Sequence, residues 1–418
     1  MVCKRERHNL ETFLWVHTCM NGESRPPRIM VTCGGRIPSV ELGAIIPLSE
    51  LQKQGLCVFK YKDEPSLSLA DLAWCDILFI VRGASSLSLL AADRAKKLQR
   101  IVLGYWDDDL LSIPTWSLSY PYYANAPMRE NISALFKLTD AFFSRNPKLA
   151  AKLSSLHGSE AKVLPGVLWA EKLGPLTRDR NPIPVVGFAG SVDHRDLLNS
   201  LLGPSIAAVL DTGVDFKFHI VGPEPNFIGK LRIETIHTPY IRNFYDYLAV
   251  ASDLGWDVGL APLIDSEFTM YKFYNKLIEY TFIGCAGIYS RVEPYTGVIE
   301  DGITGLLVEN EVGAWKEAIL RLLMDPELRF RIATNAREFV QTNLNRRVAV
   351  EQYAAILGPF FTYRAPEVGI TYVGKSYIYY EFKKLYNLWA EYAKIFGMIA
   401  FIRAASSRLL SLLAPKPF

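Results

Sequence analysis

The sequence predicts an α/β protein with two doubly wound domains that face a cleft, followed by an amphipathic tail rich in aromatic and basic residues. Three observations support this prediction. Runs of four to eight apolar residues alternate with amphipathic stretches, as in parallel sheets covered by helices on both faces. The alternation stops at a segment rich in proline and charge, and then starts again. The 418 residues are enough for two domains of ordinary size.

Apolar runs place the strands of both halves. In the first half we expect strands at 29–33, 56–61, 76–81, 100–104, 141–144 and 162–164, with helices at 48–54, 87–99, 131–139 and 147–156. Segment 173–184 is the predicted linker. In the second half we expect strands at 185–189, 216–221, 256–260, 286–289 and 304–308, with helices at 196–212, 244–252, 273–283 and 315–324.

These elements divide the chain into five predicted parts. They are an N-terminal extension (1–25), a first Rossmann-like α/β domain (26–180), a second Rossmann-like α/β domain (181–343), a further helix (344–360) and the tail (361–418). Ligands of such sheets bind at the carboxyl ends of the strands, so we expect the site between the two domains.

Composition excludes several classes of protein. The 46 Lys and Arg nearly balance the 43 Asp and Glu, and a net charge of +3 gives no reason to expect a nucleic-acid partner. Six scattered cysteines without a CxxC pair indicate neither a zinc site nor a disulfide framework, so we expect a reducing, cytoplasmic compartment. The sequence contains no run of 18 apolar residues, so it predicts no membrane-spanning helix.

The segment 256–279, WDVGLAPLIDSEFTMYKFYNKLIE, carries the most specific pattern. Lys272, Lys276 and Glu279 are spaced so that one helix face presents all three. Two cations near a helix N-terminus attract an anion, and a carboxylate one turn later can accept hydrogen bonds from vicinal hydroxyls. A nucleoside diphosphate offers both groups. The alternative from spacing alone is a solvated Lys–Glu helix face.

A second pattern is the turn Gly190–Ser191 in GFAGSVDHRD, which follows a predicted strand. Such a turn lets backbone N–H groups approach a phosphate, and Arg195, with His194 beside it, lies just beyond. An ordinary strand-to-helix loop remains an alternative. Gly222 follows the strand FKFHIV, and Tyr240 lies in a loop that is a candidate for the nucleobase edge or a plain surface loop.

The motifs DVGLAPL, KxxxKxxEY, GCAGIYS and EDGITGLLVE, in this order and spacing, resemble the donor-binding half of the large group-one family of retaining glycosyltransferases, which have the GT-B fold. The resemblance extends from about residue 27 to residue 343 and is specific in the second half. It implies that domain 26–180 is on the acceptor side, that domain 181–343 binds the donor, and that helix 344–360 crosses back to the first domain. It implies that Lys276, and with it Lys272, binds the donor phosphates, that Glu279 binds the ribose, and that Arg195 contacts the diphosphate. Arg195 and Lys276 would then stabilise the charge that grows on the leaving diphosphate.

One position departs from the family pattern. Many members carry a second glutamate eight positions before the first, where it contacts the donor sugar, and this chain has Tyr271 there. Asp265 and Glu267 in the preceding loop are the candidates to replace it. This difference affects both the assignment of the residues that contact the donor sugar and the prediction that the chain is an active enzyme.

The acceptor side is predicted from the ends of first-domain strands. Gly34 and Gly35 follow the first strand, Arg82 follows the third, and Asp107 and Asp108 follow the fourth, within GYWDDDLLSIP. That segment resembles one in bacterial surface-polysaccharide members of the family. We assign Asp107 and Asp108 to the acceptor side, with Asp108 as the catalytic candidate. Helix capping and a surface salt bridge are the alternatives for these residues.

The resemblance implies transfer of a sugar from a nucleotide-diphosphate donor to an acceptor hydroxyl with retention, without a cofactor or a required metal. The acceptor would be a glycan, a lipid-linked glycan or a protein, in surface glycan or glycoconjugate assembly. Two alternatives stay open: a non-catalytic binding subunit or membrane adaptor, and a non-hydrolysing sugar-nucleotide epimerase. The tail 361–418 has 13 aromatic residues, with 8 Lys and Arg against 3 Asp and Glu. It predicts either peripheral binding at the inner face of a membrane or contact with a partner chain.

Overall fold

The computed structural model describes residues 25–169, 173–176, 181–241, 243–368, 379–387 and 390. The strands of this part form two sheets of six, and every strand pair is parallel. The strands are β1 (Arg28–Cys33), β2 (Val58–Asp63), β3 (Ile77–Val81), β4 (Ile101–Tyr105), β5 (Ala141–Ser144), β6 (Lys162–Val163), β7 (Val185–Ala189), β8 (Lys217–Val221), β9 (Thr235–Thr238), β10 (Val258–Ala261), β11 (Ala286–Ser290) and β12 (Leu306–Val308). The prediction of two doubly wound α/β domains is confirmed.

Strand order places the expected ligand positions in both sheets. The first sheet has the order β2-β1-β3-β4-β5-β6, and the second has the order β12-β11-β10-β7-β8-β9. The order reverses between β1 and β3 in the first sheet and between β7 and β10 in the second. In doubly wound sheets, ligands bind beyond the carboxyl ends of the strands at such a reversal.

Helices cover both faces of each sheet. In the first domain they are Pro38–Val40, which continues through Glu41–Ile45 into Ile46–Lys53, then Leu69–Trp74, Ser86–Lys97, Tyr120–Tyr123, Ala126–Leu138 and Pro147–His157. In the second they are Arg195–Leu197, which continues through Leu198–Leu202 into Gly203–Leu210, then Phe244–Asp253, Glu267–Met270, Asn275–Ile283, Val312–Met324 and Pro326–Asn343. Arg346–Phe361 follows them.

The helix Arg346–Phe361 follows the second domain in the chain but packs on the first. Its buried side chains, including Val350, Tyr353 and Leu357, belong to the same apolar cluster as Val31 of β1 and Phe79 of β3. The helix therefore ties the end of the second domain to the first sheet. The five domain boundaries predicted from the sequence stay predictions.

The structure shifts several predicted elements and adds others. The strand predicted at 56–61 begins at Val58, because Gly55 ends the preceding helix in the left-handed region and the Leu56 amide closes that turn on the Leu51 carbonyl. The helix predicted from residue 273 begins at Asn275. Strand β9 (TIHT) was not predicted, because it lies at a sheet edge and contains no apolar run. The helix Pro326–Asn343 was not predicted either.

Some predictions concern residues that lie outside the described ranges. These are nearly all of the extension 1–25, part of the linker 173–184 and most of the tail 361–418. Cys33, Cys57, Cys75 and Cys285 are buried and form no disulfide bond with one another, whereas Cys3 and Cys19 lie outside the described residues. No helix in the described part of the chain has both the length and the apolarity needed to cross a membrane.

Candidate active site between the two sheets

A cavity of about 300 Å³ lies between the carboxyl ends of the two sheets. Eight predicted site residues line it: Asp107, Asp108, Gly190, Ser191, Tyr240, Lys272, Lys276 and Glu279. Gly34, Gly35, Arg82, Arg195 and Gly222 do not line it. Its volume is at the lower end of the range of about 300–1,000 Å³ typical of small-molecule sites. Residues more than 160 positions apart in the sequence thus meet in one cleft.

Lys276 and Glu279 form the centre of the second-domain wall. The helix Asn275–Ile283 has no side-chain cap at its N-terminus, and Lys276 is its second residue. Glu279 is buried, and its Oε2 accepts hydrogen bonds from the Tyr247 hydroxyl (2.8 Å) and from Lys276. Its Oε1 accepts none from the described residues. This oxygen is therefore available to the hydroxyl groups of a ligand.

Lys272 reaches the first domain, although it does not lie on the predicted helix. It precedes Asn275 in a turn, so the prediction that Lys272, Lys276 and Glu279 share one helix face is wrong for Lys272. The Lys272 Nζ donates to Asp108 Oδ1 at 3.0 Å. The two lysines still line the same cavity. The helix begins later because Phe273 and Tyr274 form a turn closed by the Asn275 amide on the Phe273 carbonyl.

Asp108 is held between two cations. Lys272 contacts Oδ1, and the Arg82 Nη2 donates to Oδ2 at 2.9 Å. Burial alone would raise the pKa of Asp108, but the positive charges of Lys272 and Arg82 outweigh burial and lower the pKa to about 2. Asp108 is therefore ionised at any physiological pH and is a weak base.

Arg82 supports this arrangement from behind the cavity. Its φ of 53° lies in the left-handed region, which is uncommon for a residue with a side chain. Its Nη1 donates to the Ser39 Oγ at 3.2 Å, and its Nε lies 3.6 Å from Asp107 Oδ1. Asp109, the third of the consecutive aspartates, makes different contacts from Asp107 and Asp108. Asp109 turns away, accepts from the Leu111 amide and pairs with Lys152, as expected of a turn residue.

The loop after β7 forms the floor of the second-domain side. Gly190 and Ser191 line the cavity, and Gly222, with φ of 127°, packs against Gly190 so closely that a Cβ would lie 2.0 Å from the Gly190 carbonyl oxygen. His194 also lines the cavity. Burial, together with the charges of Lys272 and Lys276, lowers the pKa of His194 to about 4. The His194 ring is therefore neutral in the free protein at physiological pH.

Arg195, Gly34 and Gly35 lie outside the cavity, whereas Tyr240 lines its edge. Arg195 begins a short helix with an exposed side chain. Gly34 is exposed and Gly35 half-buried, and a Cβ on either would meet no atom within 4 Å. Tyr240 is at the rim, 54% exposed. The roles predicted for these residues stay predictions.

The position of the missing family glutamate is occupied by a contact between the domains. The Tyr271 ring lies 4.9 Å from the Lys152 Nζ and packs with apolar side chains of the first domain. Glu267 forms an ion pair with Lys152 at 2.7 Å, and Asp265 is exposed. None of these three residues lines the cavity.

Several residues that line the cavity were not predicted from the sequence, notably Ser39, Arg145, Tyr247 and Phe273. Arg145 follows β5 directly, so the rule that singled out Asp107 and Asp108 after β4 could have found it. Tyr247 lies within a helix and contacts Glu279 only through the fold, and no sequence signal marks it. Asn146 joins the domains, because its Nδ2 donates to the Lys272 carbonyl at 2.8 Å.

No metal-binding cluster stands out in the part of the chain that the structure describes. It contains no group of three or more His, Cys, Asp or Glu side chains placed to hold a metal ion. The expectation that neither a metal nor a cofactor is required stays an expectation.

Comparisons with known proteins agree with this geometry. Residues 183–325 match the family model described as glycosyl transferases group 1. No curated protein sequence matches the chain. The segment that matches contains β7 to β12, the Gly190 loop and the helix of Lys276 and Glu279.

Solved structures resemble nearly the whole described chain. Anabaena HepE, in complex with UDP and glucose, is 13% identical and has a TM-score of 0.55, over 80% of this chain and 100% of HepE. Sucrose-phosphate synthase from Thermosynechococcus elongatus is 16% identical and has a TM-score of 0.53, over 80% and 99% of the two chains. A glycosyltransferase from Rickettsia africae is 16% identical, with a TM-score of 0.54 over 81% and 99%. The chain therefore has the GT-B fold, and its residues 183–325 match the family model of group 1 glycosyl transferases.

Proposed function

We propose that the protein transfers a sugar from a nucleotide-diphosphate donor to an acceptor hydroxyl. The observation that carries the proposal is the second-domain wall of the cavity. Lys276 stands at an uncapped helix N-terminus, Glu279 keeps one oxygen free for hydroxyls, and the Gly190–Ser191 turn faces the same space. A helix N-terminus and a lysine suit phosphate, and the carboxylate suits ribose.

Binding of nucleoside diphosphates tests this donor site. HepE is similar in fold and was solved with UDP-glucose, so UDP is the first ligand to try, followed by GDP, ADP and dTDP. A ligand at 100 times its dissociation constant should stabilise the fold by about 2.7 kcal/mol. We expect one nucleotide to raise the melting temperature of the wild type and to have little effect on Lys276→Ala or Glu279→Ala. If no nucleotide shifts the wild type, the donor site is rejected.

Retention of configuration is part of the proposal. In a retaining transfer without a side-chain nucleophile, the acceptor attacks the face that the diphosphate leaves, and the departing phosphate takes the proton. The low pKa of Asp108 supports this role for the phosphate, since Asp108 is a poor proton acceptor. Lys276 would stabilise the charge that grows on the diphosphate. Asp108 would position the acceptor rather than deprotonate it.

The acceptor would lie against the first domain. Asp107 and Asp108 line that wall, and Asp107 Oδ1, which lies 3.6 Å from the Arg82 Nε, is buried and accepts no hydrogen bond in the described structure. A buried carboxylate oxygen of this kind is best satisfied by a hydroxyl donor. A glycan acceptor in surface glycan or glycoconjugate assembly fits this chemistry. The resemblance of GYWDDDLLSIP to bacterial surface-polysaccharide members points the same way.

The tail would place the enzyme at a membrane surface. Residues 379–387 are helical, and Tyr380 and Lys384 dock on the first domain, with the Lys384 Nζ donating to the Leu67 carbonyl. Phe382 and Tyr386 point outward, 70% and 66% exposed. Exposed rings beside Lys383, in a tail with 8 basic and 3 acidic residues, suit an anionic bilayer surface. Such a location would fit a lipid-linked acceptor.

A non-catalytic binding subunit is the second candidate. The observation that favours it is Tyr271, which packs between the domains where many family members carry a sugar-binding glutamate. A binding subunit would bind nucleoside diphosphate without consuming a nucleotide sugar. Turnover of the sugar nucleotide therefore separates the two candidates.

A further inference from the structure

Arg145 is a buried cation with no carboxylate in ion-pair contact, and Asp107 attracts it from a greater distance. It is 3% exposed and lines the same cavity as Asn275 and Lys276. Its Nε donates to the Tyr105 hydroxyl at 3.0 Å, and its two Nη atoms donate to no group in the described residues. No described carboxylate lies within ion-pair distance of it. A buried charge in this state costs folding free energy unless a ligand pairs with it.

The other buried arginines of the described chain differ from Arg145. Arg100 donates from all three guanidinium nitrogens to the carbonyls of Leu72, Ala73 and Pro366. Arg329 donates to two carbonyls at the end of a helix. The guanidinium groups of these two arginines thus have a structural role, because they satisfy backbone carbonyl oxygens. Arg145 has no comparable structural partners, and it lines the cavity.

The guanidinium of Arg145 is held in place from two sides. Tyr105 is fully buried at the end of β4, and its ring lies against Gly43, where a Cβ would come within 2.3 Å of it. On the other side, the Phe273 ring of the second domain lies 4.9 Å from the guanidinium carbon. An aromatic face and one hydrogen bond fix the orientation without neutralising the charge.

Charges in the cleft indicate what Arg145 binds. Lys276 pairs with Glu279, and Lys272 and Arg82 pair with Asp108, which leaves Arg145 as the unpaired cation among the described lining residues. A planar guanidinium matches a phosphoryl group through two parallel hydrogen bonds. The donor diphosphate is the anion expected in this cavity.

We propose that Arg145 binds a phosphoryl oxygen of the donor, reaching it from the first domain while Lys276 reaches it from the second. The inference rests on the proposed donor site and adds a binding residue to it. A diphosphate held by both domains would couple donor binding to their approach. Tyr105 is then a positioning residue for Arg145.

Calorimetric titration of the full chain tests the proposal with three probes: UDP, or the nucleoside diphosphate that binds best, the matching nucleoside, and inorganic pyrophosphate. We expect Arg145→Gln to weaken nucleoside diphosphate and pyrophosphate binding by about tenfold or more, as for loss of a charge-assisted pair. Binding of the nucleoside should be unchanged. The affinity of Arg145→Lys for both ligands should lie between those of the wild type and Arg145→Gln, because lysine keeps the charge but lacks the two parallel N–H donors of the guanidinium. Tyr105→Phe should weaken binding less than Arg145→Gln.

A surface arginine provides the matched control. Arg347 is 89% exposed on its side chain, so Arg347→Gln removes the same charge outside the cavity and should bind as the wild type does. Melting curves without ligand check that each variant is folded, and Arg145→Lys provides the test if Arg145→Gln is not.

The outcomes separate this inference from the proposed function. If Arg145→Gln binds nucleoside diphosphate within twofold of the wild type, the role of Arg145 is rejected and the donor site stands. If the wild type binds pyrophosphate through Arg145 but no nucleoside diphosphate, the donor site is rejected and the anion site stands. If the wild type binds neither, both proposals are rejected.

Discussion

Lys272 of the second domain donates a 3.0 Å hydrogen bond to Asp108 of the first, across the cavity in which both residues lie. The Lys272 carbonyl also accepts from Asn146 of the first domain. One residue thus joins the domains through both its side chain and its backbone. The ion pair places a carboxylate next to the lysine that the proposed diphosphate would contact.

Asp108→Asn should therefore change binding and turnover in opposite directions. The substitution removes one negative charge from the cleft, so affinity for a nucleoside diphosphate should rise by about threefold to tenfold. Turnover should fall by about tenfold or more if Asp108 positions the acceptor. Titration calorimetry and a donor-turnover assay on the same preparation measure both effects. Unchanged turnover would leave Asp108 as a structural partner of Arg82 and Lys272.

His194 should report ligand binding through its pKa. Its folded pKa of about 4 lies below the ordinary 6.5, so the unfolded chain binds a proton between these values that the folded chain does not. His194 should therefore lower stability as pH falls from about 6.5 to 4. A bound diphosphate would offset the fields of Lys272 and Lys276 and raise this pKa. Imidazole NMR titration, assigned with His194→Gln, checks both statements, and a pKa near 6.5 in the free protein would contradict them.

Two glycine substitutions should differ in their effect on stability. Gly222→Ala puts a Cβ 2.0 Å from the Gly190 carbonyl oxygen at a φ of 127°, and should destabilise the protein by about 1–3 kcal/mol or more. It should also disturb the Gly190–Ser191 turn and weaken nucleotide binding. Gly34→Ala meets no atom within 4 Å and should change stability by less than about 0.5 kcal/mol. Urea unfolding measures both, and equal effects would contradict the close packing at Gly222.

Vesicle binding tests the outward face of residues 379–387. Replacing Phe382 and Tyr386 by serine removes two exposed rings without touching Tyr380 or Lys384, which dock the helix. We expect the double variant to sediment less with vesicles of anionic lipid, while neither protein sediments with neutral vesicles at moderate salt. Melting temperatures should agree within about 2 °C, because exposed side chains contribute little to stability. Equal sedimentation of the two proteins would favour a partner chain for this surface.

Sequence patterns located the second-domain site better than the first-domain site. Lys276 and Glu279 were found from helical spacing, and Gly190 and Ser191 from a turn after a strand, because these signals are local. Lys272 was placed on the wrong element, since the turn at Phe273 depends on packing. Arg145 and Tyr247 gain their roles only when distant segments meet, and an arginine after a strand looks the same whether it binds a carbonyl or a ligand.

Elements of the fold were likewise predicted well only where a local sequence pattern marks them. Buried strands such as β3 and β7 are continuous apolar runs, and the sequence marks them clearly. Strand β9 lies at an edge with half-buried residues, and no apolar run identifies it. The return of the helix Arg346–Phe361 to the first domain followed from the resemblance rather than from any local pattern.

The most direct test of sugar transfer is release of nucleoside diphosphate from a panel of nucleotide sugars, with lipid-linked and free glycan acceptors present. Wild type is compared with Lys276→Ala, and Lys137→Ala, on the exposed face of a first-domain helix, serves as the control. The proposed function predicts that one nucleotide sugar is consumed by the wild type and by Lys137→Ala, and that Lys276→Ala is slower by about 10²–10³. If nucleoside diphosphate binds but no nucleotide sugar is consumed with any acceptor, sugar transfer is contradicted and the binding-subunit candidate takes its place.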